Sequence, residues 1–317
     1  MTRFVRRSTK GYHLPLTGQG VWLSLDLDWS KLDLVDEQMG TKDKYWVQLD
    51  SGHWLVKLCR VVEGRTLGED WAEWLVHRLG GLLGVPTAVV EPALIRVGGA
   101  TMRGLASLDV RVDQRLRLVH GNELLAEVDD AYVPTMQREN PRYTVSAVRR
   151  ALDGIGAPAE VDARVMNAFD AWAGYVVLDA WVAGRDRHHE NWAAERTPDW
   201  SRLAPSFDHG NALGFQETDE AAVLMAADRE RVARWARRGR SHHFAGRPGL
   251  VALACEALAA SSDGARAYWQ ERIEAVRADD VRELVAKIPR DLMSEARGTF
   301  IASLLETNQR RLADGLS

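Results

Sequence analysis

Two carboxylates and an amide stand out in the second half of the chain by type and spacing. Gly184-Arg185-Asp186-Arg187-His188-His189-Glu190-Asn191 is polar and irregular, with Asp186 and Asn191 five positions apart. One short loop with that spacing can aim a carboxylate at an acceptor hydroxyl and an amide oxygen at a metal ion. A further carboxylate follows in Leu203-Ala204-Pro205-Ser206-Phe207-Asp208-His209-Gly210, an apolar, strand-like lead with a glycine two residues after Asp208. Magnesium keeps several waters and takes few protein oxygens, so Asn191 and Asp208 suffice to hold it. In the first third, Lys57 ends an apolar run and Glu73 follows sixteen positions later. That pair offers an ammonium for nucleotide phosphates and a carboxylate to fix it. Phosphoryl transfer asks for these parts: a carboxylate near the attacking hydroxyl, oxygen ligands for magnesium, and a cation on the phosphates. Each piece alone is common; the weight lies in their joint order and context.

The elements that must position these groups follow from hydrophobic patterning. Residues 45–49 and 53–58 alternate or run apolar around Asp50-Ser51-Gly52, which predicts a hairpin with Lys57 at its end. Residues 69–83 place Trp71, Trp74, Leu75, Leu79 and Leu82 at helical spacing, ending at Gly84 with Pro86 beyond, so Glu73 falls on a helix. Residues 89–97 read as a strand interrupted by Pro92. Ahead of the hairpin, Met39-Gly40-Thr41-Lys42-Asp43-Lys44 predicts a flexible loop covering the phosphates, with Gly40, Thr41, Lys42 and Lys44 as candidate nucleotide contacts. Helical patterns fill 158–182, 217–237, 250–260, 265–287 and 291–312, and the reactive stretch 185–214 lies between the first two. The expected architecture is α+β and two-lobed: a β-rich N-lobe over residues 1–145 and a helical C-lobe over 146–317 carrying the catalytic and metal loops.

On these residues the chain resembles the HipA-like kinase family, bacterial serine/threonine kinases with a protein-kinase-like fold, over residues 40–249. The segment from Gly40 to Lys57 is similar to that family's phosphate loop, hairpin and ATP lysine, and Gly68 to Glu73 to its first-lobe helix. Asp186 to Asn191 and Leu203 to Gly210 look like its catalytic and metal loops. An Asp-Arg-His-x-x-Asn loop also resembles that of phosphatidylinositol kinases, which share the wider fold. The resemblance implies ATP and Mg2+ as cofactors and transfer of phosphate to a Ser or Thr hydroxyl. Asp186 would orient or deprotonate that hydroxyl, and Asn191 and Asp208 would hold the metal. Two departures stand out. Gly184 occupies a position where many members carry Asn, and HipA toxins carry a larger N-terminal subdomain ahead of the phosphate loop. Toxin biology, DNA-bound repressor partners and a particular substrate are therefore not carried over, and an antitoxin-like partner stays open.

Composition narrows the classes. A chain of 317 residues spans two lobes or domains at roughly 150 residues each and buries a sizeable core. A net charge of −4 argues against a dedicated nucleic-acid binder. No apolar run approaches the ~18 residues of a membrane span, and the arginine-rich first ten residues lack the apolar core of a secretory signal. Two lone cysteines, Cys59 and Cys255, fit a reducing cytoplasm. The arginine-rich stretch 229–247 reads as a solvated face, with a phosphate or acidic-substrate dock as the alternative. No zinc-binding motif accompanies His188, His189, His209, His242 and His243; His188 is expected to prop the catalytic loop and His209 to pack behind Asp208. Arg187 is open between a phosphate contact and a salt bridge, and Trp192 is expected to be a packing wedge. Three functions share these residues: a protein Ser/Thr kinase, a small-molecule (antibiotic or metabolite) phosphotransferase, and a nucleotide-binding pseudokinase module. Mixed charge in the helical half favours a protein acceptor over a cationic small molecule, and intact Lys57, Asp186, Asn191 and Asp208 argue against a pseudokinase.

Overall fold

The computed structural model describes residues 22–32, 35–36, 44–111 and 113–316. The candidate phosphate-loop residues Gly40, Thr41 and Lys42 lie outside them. The front of the chain builds a sheet from β1 (Leu25–Asp28), β2 (Val35–Asp36), β3 (Lys44–Leu49) and β4 (Gly52–Leu58). A small hairpin of β5 (Val61–Val62) and β6 (Arg65–Thr66) leads into helix α1 (Glu69–Leu83), and β7 (Val90–Val97) and β8 (Ala100–Leu108) complete the sheet. Its six strands run in the order β1-β7-β8-β4-β3-β2, antiparallel except for the β1–β7 pair. The β3–β4 hairpin has the expected register, pairing Lys44 with Lys57 and Leu49 with Gly52. Pro92 does not interrupt β7: pairing with β1 begins one residue later at Ala93, so the missing N–H faces no partner strand.

Downstream, β9 (Arg117–His120) runs into α2 (Gly121–Val128), followed by α3 (Val145–Ala151) and α4 (Ala168–Val182). Strands β10 (Ala193–Arg196) and β11 (Ser201–Leu203) join β9 in a three-stranded sheet. Then come α5 (Asp219–Ala226), α6 (Arg229–Arg237), α7 (Leu250–Ala260), α8 (Asp263–Ala275), α9 (Ala278–Ala286) and α10 (Glu295–Leu316). Every residue of α4 is buried, which is what an apolar-all-round sequence demands of a helix: it must be enclosed by others. Helices α7, α8 and α10 enclose it, and Trp181 and Asn308 tie α4 to α10 by buried hydrogen bonds of 3.2 and 3.0 Å.

Four helical stretches differ from their sequence patterns, and side-chain caps mark the new starts at Ala168, Arg229, Asp263 and Glu295. The 158–182 stretch becomes helical only at Ala168, where Asn167 accepts from the backbone of Asp170. The 217–237 stretch divides at Asp228, which accepts from the amides of Glu230 and Arg231 and starts α6. The 265–287 stretch begins early, at Asp263 with Ser262 as cap, and divides at Val276-Arg277. The last begins at Glu295 rather than 291, where Ser294 accepts from the amide of Arg297. Apolar periodicity runs across such breaks because both halves bury the same face; the cap oxygens stop the hydrogen-bond ladder.

Two hydrophobic cores result. One fills the sheet with Leu27, Val47, Trp54, Val56, Ile95 and Ala106, and the larger runs through the helical body and takes in α1. Glycine lets Trp269 lie on α4: a Cβ at Gly174 would come within 2.4 Å of its ring. By contrast a Cβ at Gly81, on an exposed part of α1, would meet nothing within 4 Å. Gly174→Ala should therefore destabilise the fold by about 1–3 kcal/mol through overpacking. Gly81→Ala should stabilise it by about 0.5–1 kcal/mol through lost backbone entropy. Urea midpoints with unchanged slope would measure both, and equal shifts of one sign would contradict this packing.

Candidate active site

The reactive loop hangs from the end of α4. Ala183 adopts a left-handed conformation (φ 55°), and the amide of Gly184 turns back to donate to the carbonyl of Asp179 at 2.8 Å. A Cβ at Gly184 would stand 3.2 Å from the Asp179 carboxylate, which explains glycine at this position. Arg187 turns inward, its Nε and Nη2 donating to the two oxygens of Asp179 at 2.7 and 2.8 Å and its Nη1 to the carbonyl of Asn191 at 2.6 Å. The open choice for Arg187 is thus settled as a salt bridge. Burial alone would lower its basicity, but Asp179 holds it up. One guanidinium thereby ties the loop to α4 and to its own far end. The Asn191 amide closes the turn, donating to the carbonyl of Asp186 at 2.7 Å.

The Asp186 carboxylate faces the cleft and is gripped on both oxygens. His243 Nε2 lies 2.9 Å from Oδ1, and the Asn211 amide donates to Oδ2. Burial pushes this carboxyl up, but the His243 hydrogen bond outweighs it, and it is held below its ordinary value. Asp208 sits in a left-handed conformation (φ 61°) on the loop after β11. Its Oδ1 accepts from Lys57 at 2.9 Å, and Lys57 also reaches Glu73 at 3.5 Å. Burial would lower the Lys57 ammonium; the Asp208 and Glu73 carboxylates more than offset it and raise it well above its ordinary value. A Cβ at Gly210 would lie 3.3 Å from Glu73 Oε2, so the glycine admits this close approach. Lys44, directly across the hairpin from Lys57, has its ammonium 3.8 Å from Asp208 Oδ2. Two cross-strand lysines repel unless an anion lies between them, and Asp208 supplies it.

Helix α1 joins this network by its first turns. Glu73 meets Lys57, Asp70 meets Arg103 at 2.6 Å, and Glu69 meets Arg60 at 2.8 Å, all three acids being buried. Arg60 continues to Asn211 Oδ1 at 3.1 Å, and Asn211 to Asp186, so a line of polar contacts runs from α1 to the catalytic-loop carboxylate.

The sequence candidates Lys44, Lys57, Asp186, Asn191 and Asp208 line one cleft of about 550 Å³, with Leu55, Leu108 and Phe207 among its apolar walls. Its size and mixed lining suit a nucleotide. Asn191 and Asp208 bring an amide and a carboxylate to this cleft, oxygen donors of the kind that could hold a magnesium ion. His188 Nδ1 accepts from the amide of Glu190 at 3.2 Å, and burial takes its pKa down to about 4, leaving a neutral prop for the loop. His209 is buried beside Asp179, and burial holds its basicity well down. Trp192 is a buried wedge that donates to the Tyr143 hydroxyl at 2.9 Å, and Gly121 admits it, since a Cβ there would fall 2.2 Å from its ring.

Sequence reasoning missed Asp179, Asn211 and the contact made by His243. Asp179 was visible as one of two acids, with Asp170, in an otherwise apolar helix, and Asn211 stands three residues after Asp208. Nothing local marks His243, which reaches Asp186 across 57 positions.

No protein-family model matches the chain, and no curated protein matches its sequence. Among solved structures it is similar to the Helicobacter pylori proinflammatory kinase CtkA, with a TM-score of 0.69 over 93% of this chain and 97% of that one, at 16% identity. A weaker likeness, with a TM-score of 0.47 at 12% identity, is to HipA of Shewanella oneidensis MR-1 in its complex with HipB and operator DNA. That match covers 88% of this chain and 67% of that one. The chain has the two-lobed, kinase-like α+β fold that the motifs led us to expect.

Proposed function

We propose that this protein is a MgATP-dependent phosphotransferase, a HipA-like kinase that passes the γ-phosphate of ATP to a Ser or Thr hydroxyl of a protein. The observation that carries the reading is Lys57, buried between Glu73 of α1 and Asp208 of the metal loop, with Asp186 in the same cleft. Bound MgATP would supply the transferable phosphoryl group, the metal neutralising charge on its oxygens. Lys57, with Lys44 beside it, would hold nucleotide phosphates. Asn191 and Asp208 would hold the magnesium. Asp186 would receive or orient the proton of the acceptor hydroxyl. A protein acceptor is favoured over a polycationic small molecule because Arg138 shares the cleft with Asp186 and would oppose added positive charge.

The test is transfer of label from γ-labelled ATP, with magnesium, to the protein itself or to proteins of a lysate. Asp208→Asn should weaken magnesium-dependent nucleotide binding by about 10-fold to 100-fold. Asn tolerates the left-handed backbone at this position, so the fold should persist. Comparing phosphoproteomes of cells expressing the wild type and Asp186→Asn separates acceptors: label confined to small molecules would overturn the protein-kinase reading.

A further inference from the structure

His243 lies on the segment between α6 and α7, held by backbone hydrogen bonds from Ser241 to Pro248, from Ala245 to Tyr143 and from Glu139 to His242. Its ring is buried and touches two groups. Nδ1 is 2.6 Å from the carbonyl oxygen of Gln137, and Nε2 is 2.9 Å from Asp186 Oδ1. A peptide carbonyl and an ionised carboxylate can only accept, whereas a neutral imidazole has one donor and one acceptor nitrogen. A neutral ring would leave a nitrogen lone pair against an oxygen lone pair at one of these two contacts. Placing the shared proton on Asp186 instead is disfavoured, because a carboxyl is ordinarily a stronger acid than an imidazolium by about two to three pK units.

We infer that His243 is a positioning residue carried as the imidazolium, both N–H groups donating, and that its second proton holds Asp186 in the pose phosphoryl transfer requires. The catalytic half of this inference rests on the phosphotransferase reading; the protonation half rests on the two contacts alone. The other charged and titratable groups around the ring are His188, 5.2 Å away between ring centroids, His189, the neighbouring His242, and Arg138 and Asp208 lining the same cleft. His188 and His189 are held neutral by burial, with pKa values down to about 4, so Asp186 is the carboxylate the imidazolium meets directly. The sign follows: the protonated ring is the competent form. With only one ring proton, one of the two contacts sets a lone pair against an oxygen, the grip on Asp186 loosens, and transfer declines on the alkaline side.

Two measurements test this. In long-range proton–nitrogen spectra of the labelled full chain at neutral pH, His243, assigned by its absence in His243→Gln, should show both ring nitrogens protonated. It should show only one protonated in Asp186→Asn. A singly protonated ring in the wild type overturns the inference. In kinetics, His243→Gln offers a neutral donor and should keep transfer within about 10-fold while abolishing the alkaline limb. His243→Leu should lose about 10-fold to 100-fold in kcat, with the KM for ATP little changed. A wild-type alkaline limb in His243→Gln also overturns it. A wild-type chain that transfers no phosphate sinks the phosphotransferase reading, and the spectrum alone then decides the protonation of the ring.

Discussion

Asp186→Asn should abolish phosphoryl transfer while leaving nucleotide binding nearly intact. The side chain keeps its shape, but an amide cannot take the acceptor's proton, and positioned proton transfer accounts for about 10²–10⁴-fold in rate. Asp186 accepts from His243 on one oxygen and Asn211 on the other. An amide in its place can donate to a His243 ring that has lost its Nε2 proton and still accept from Asn211, so the group keeps its orientation and the loss is that of the proton acceptor. Lys57 contacts Glu73 and Asp208 without Asp186, so the affinity for nucleotide should change little. Single-turnover transfer and a nucleotide titration on the same preparation would separate the two. Equal turnover by wild type and variant would end the assignment of Asp186.

Arg187→Met should be the most damaging single change to stability near the site. Arg187 and Asp179 are both buried and joined by two short hydrogen bonds, and removing one partner leaves a charge with no counter-ion. Breaking such a pair costs about 3–5 kcal/mol. His209, 3.8 Å from Asp179, gives little relief, because burial keeps its ring neutral. Adding Asp179→Leu should restore much of the lost stability, since an apolar pair of similar volume avoids the uncompensated charge. It should not restore transfer, because the Asn191 carbonyl still lacks the Arg187 donor that shapes the loop. Urea unfolding of the wild type, the single and the double variant reads this directly. A single variant as stable as the wild type would remove the pair's structural role.

Parts of the molecule were legible because their causes are local. Helix α1 spans the residues its apolar spacing indicated, closed by a left-handed Gly84, and α7 likewise covers 250–260. The β3–β4 hairpin followed from alternation around Asp50-Ser51-Gly52. His120 leads into α2, with Glu123 accepting from its amide. Helix breaks at Ala227-Asp228 and Val276-Arg277 were not legible, because the apolar stripe continues past the point where a cap or an extended residue interrupts the ladder.

The residue types and order of Lys57, Glu73, Asp186, Asn191 and Asp208 were set by the sequence alone, since phosphate chemistry constrains spacing within each short loop. Only the tertiary structure decided that Asp208 lies between two lysines of one hairpin, that Arg187 is spent on Asp179, and that His243 and Asn211 grip Asp186. Those contacts join segments 8 to 164 positions apart, and such pairings are fixed by packing and buried-charge compensation, to which no local pattern in the chain corresponds.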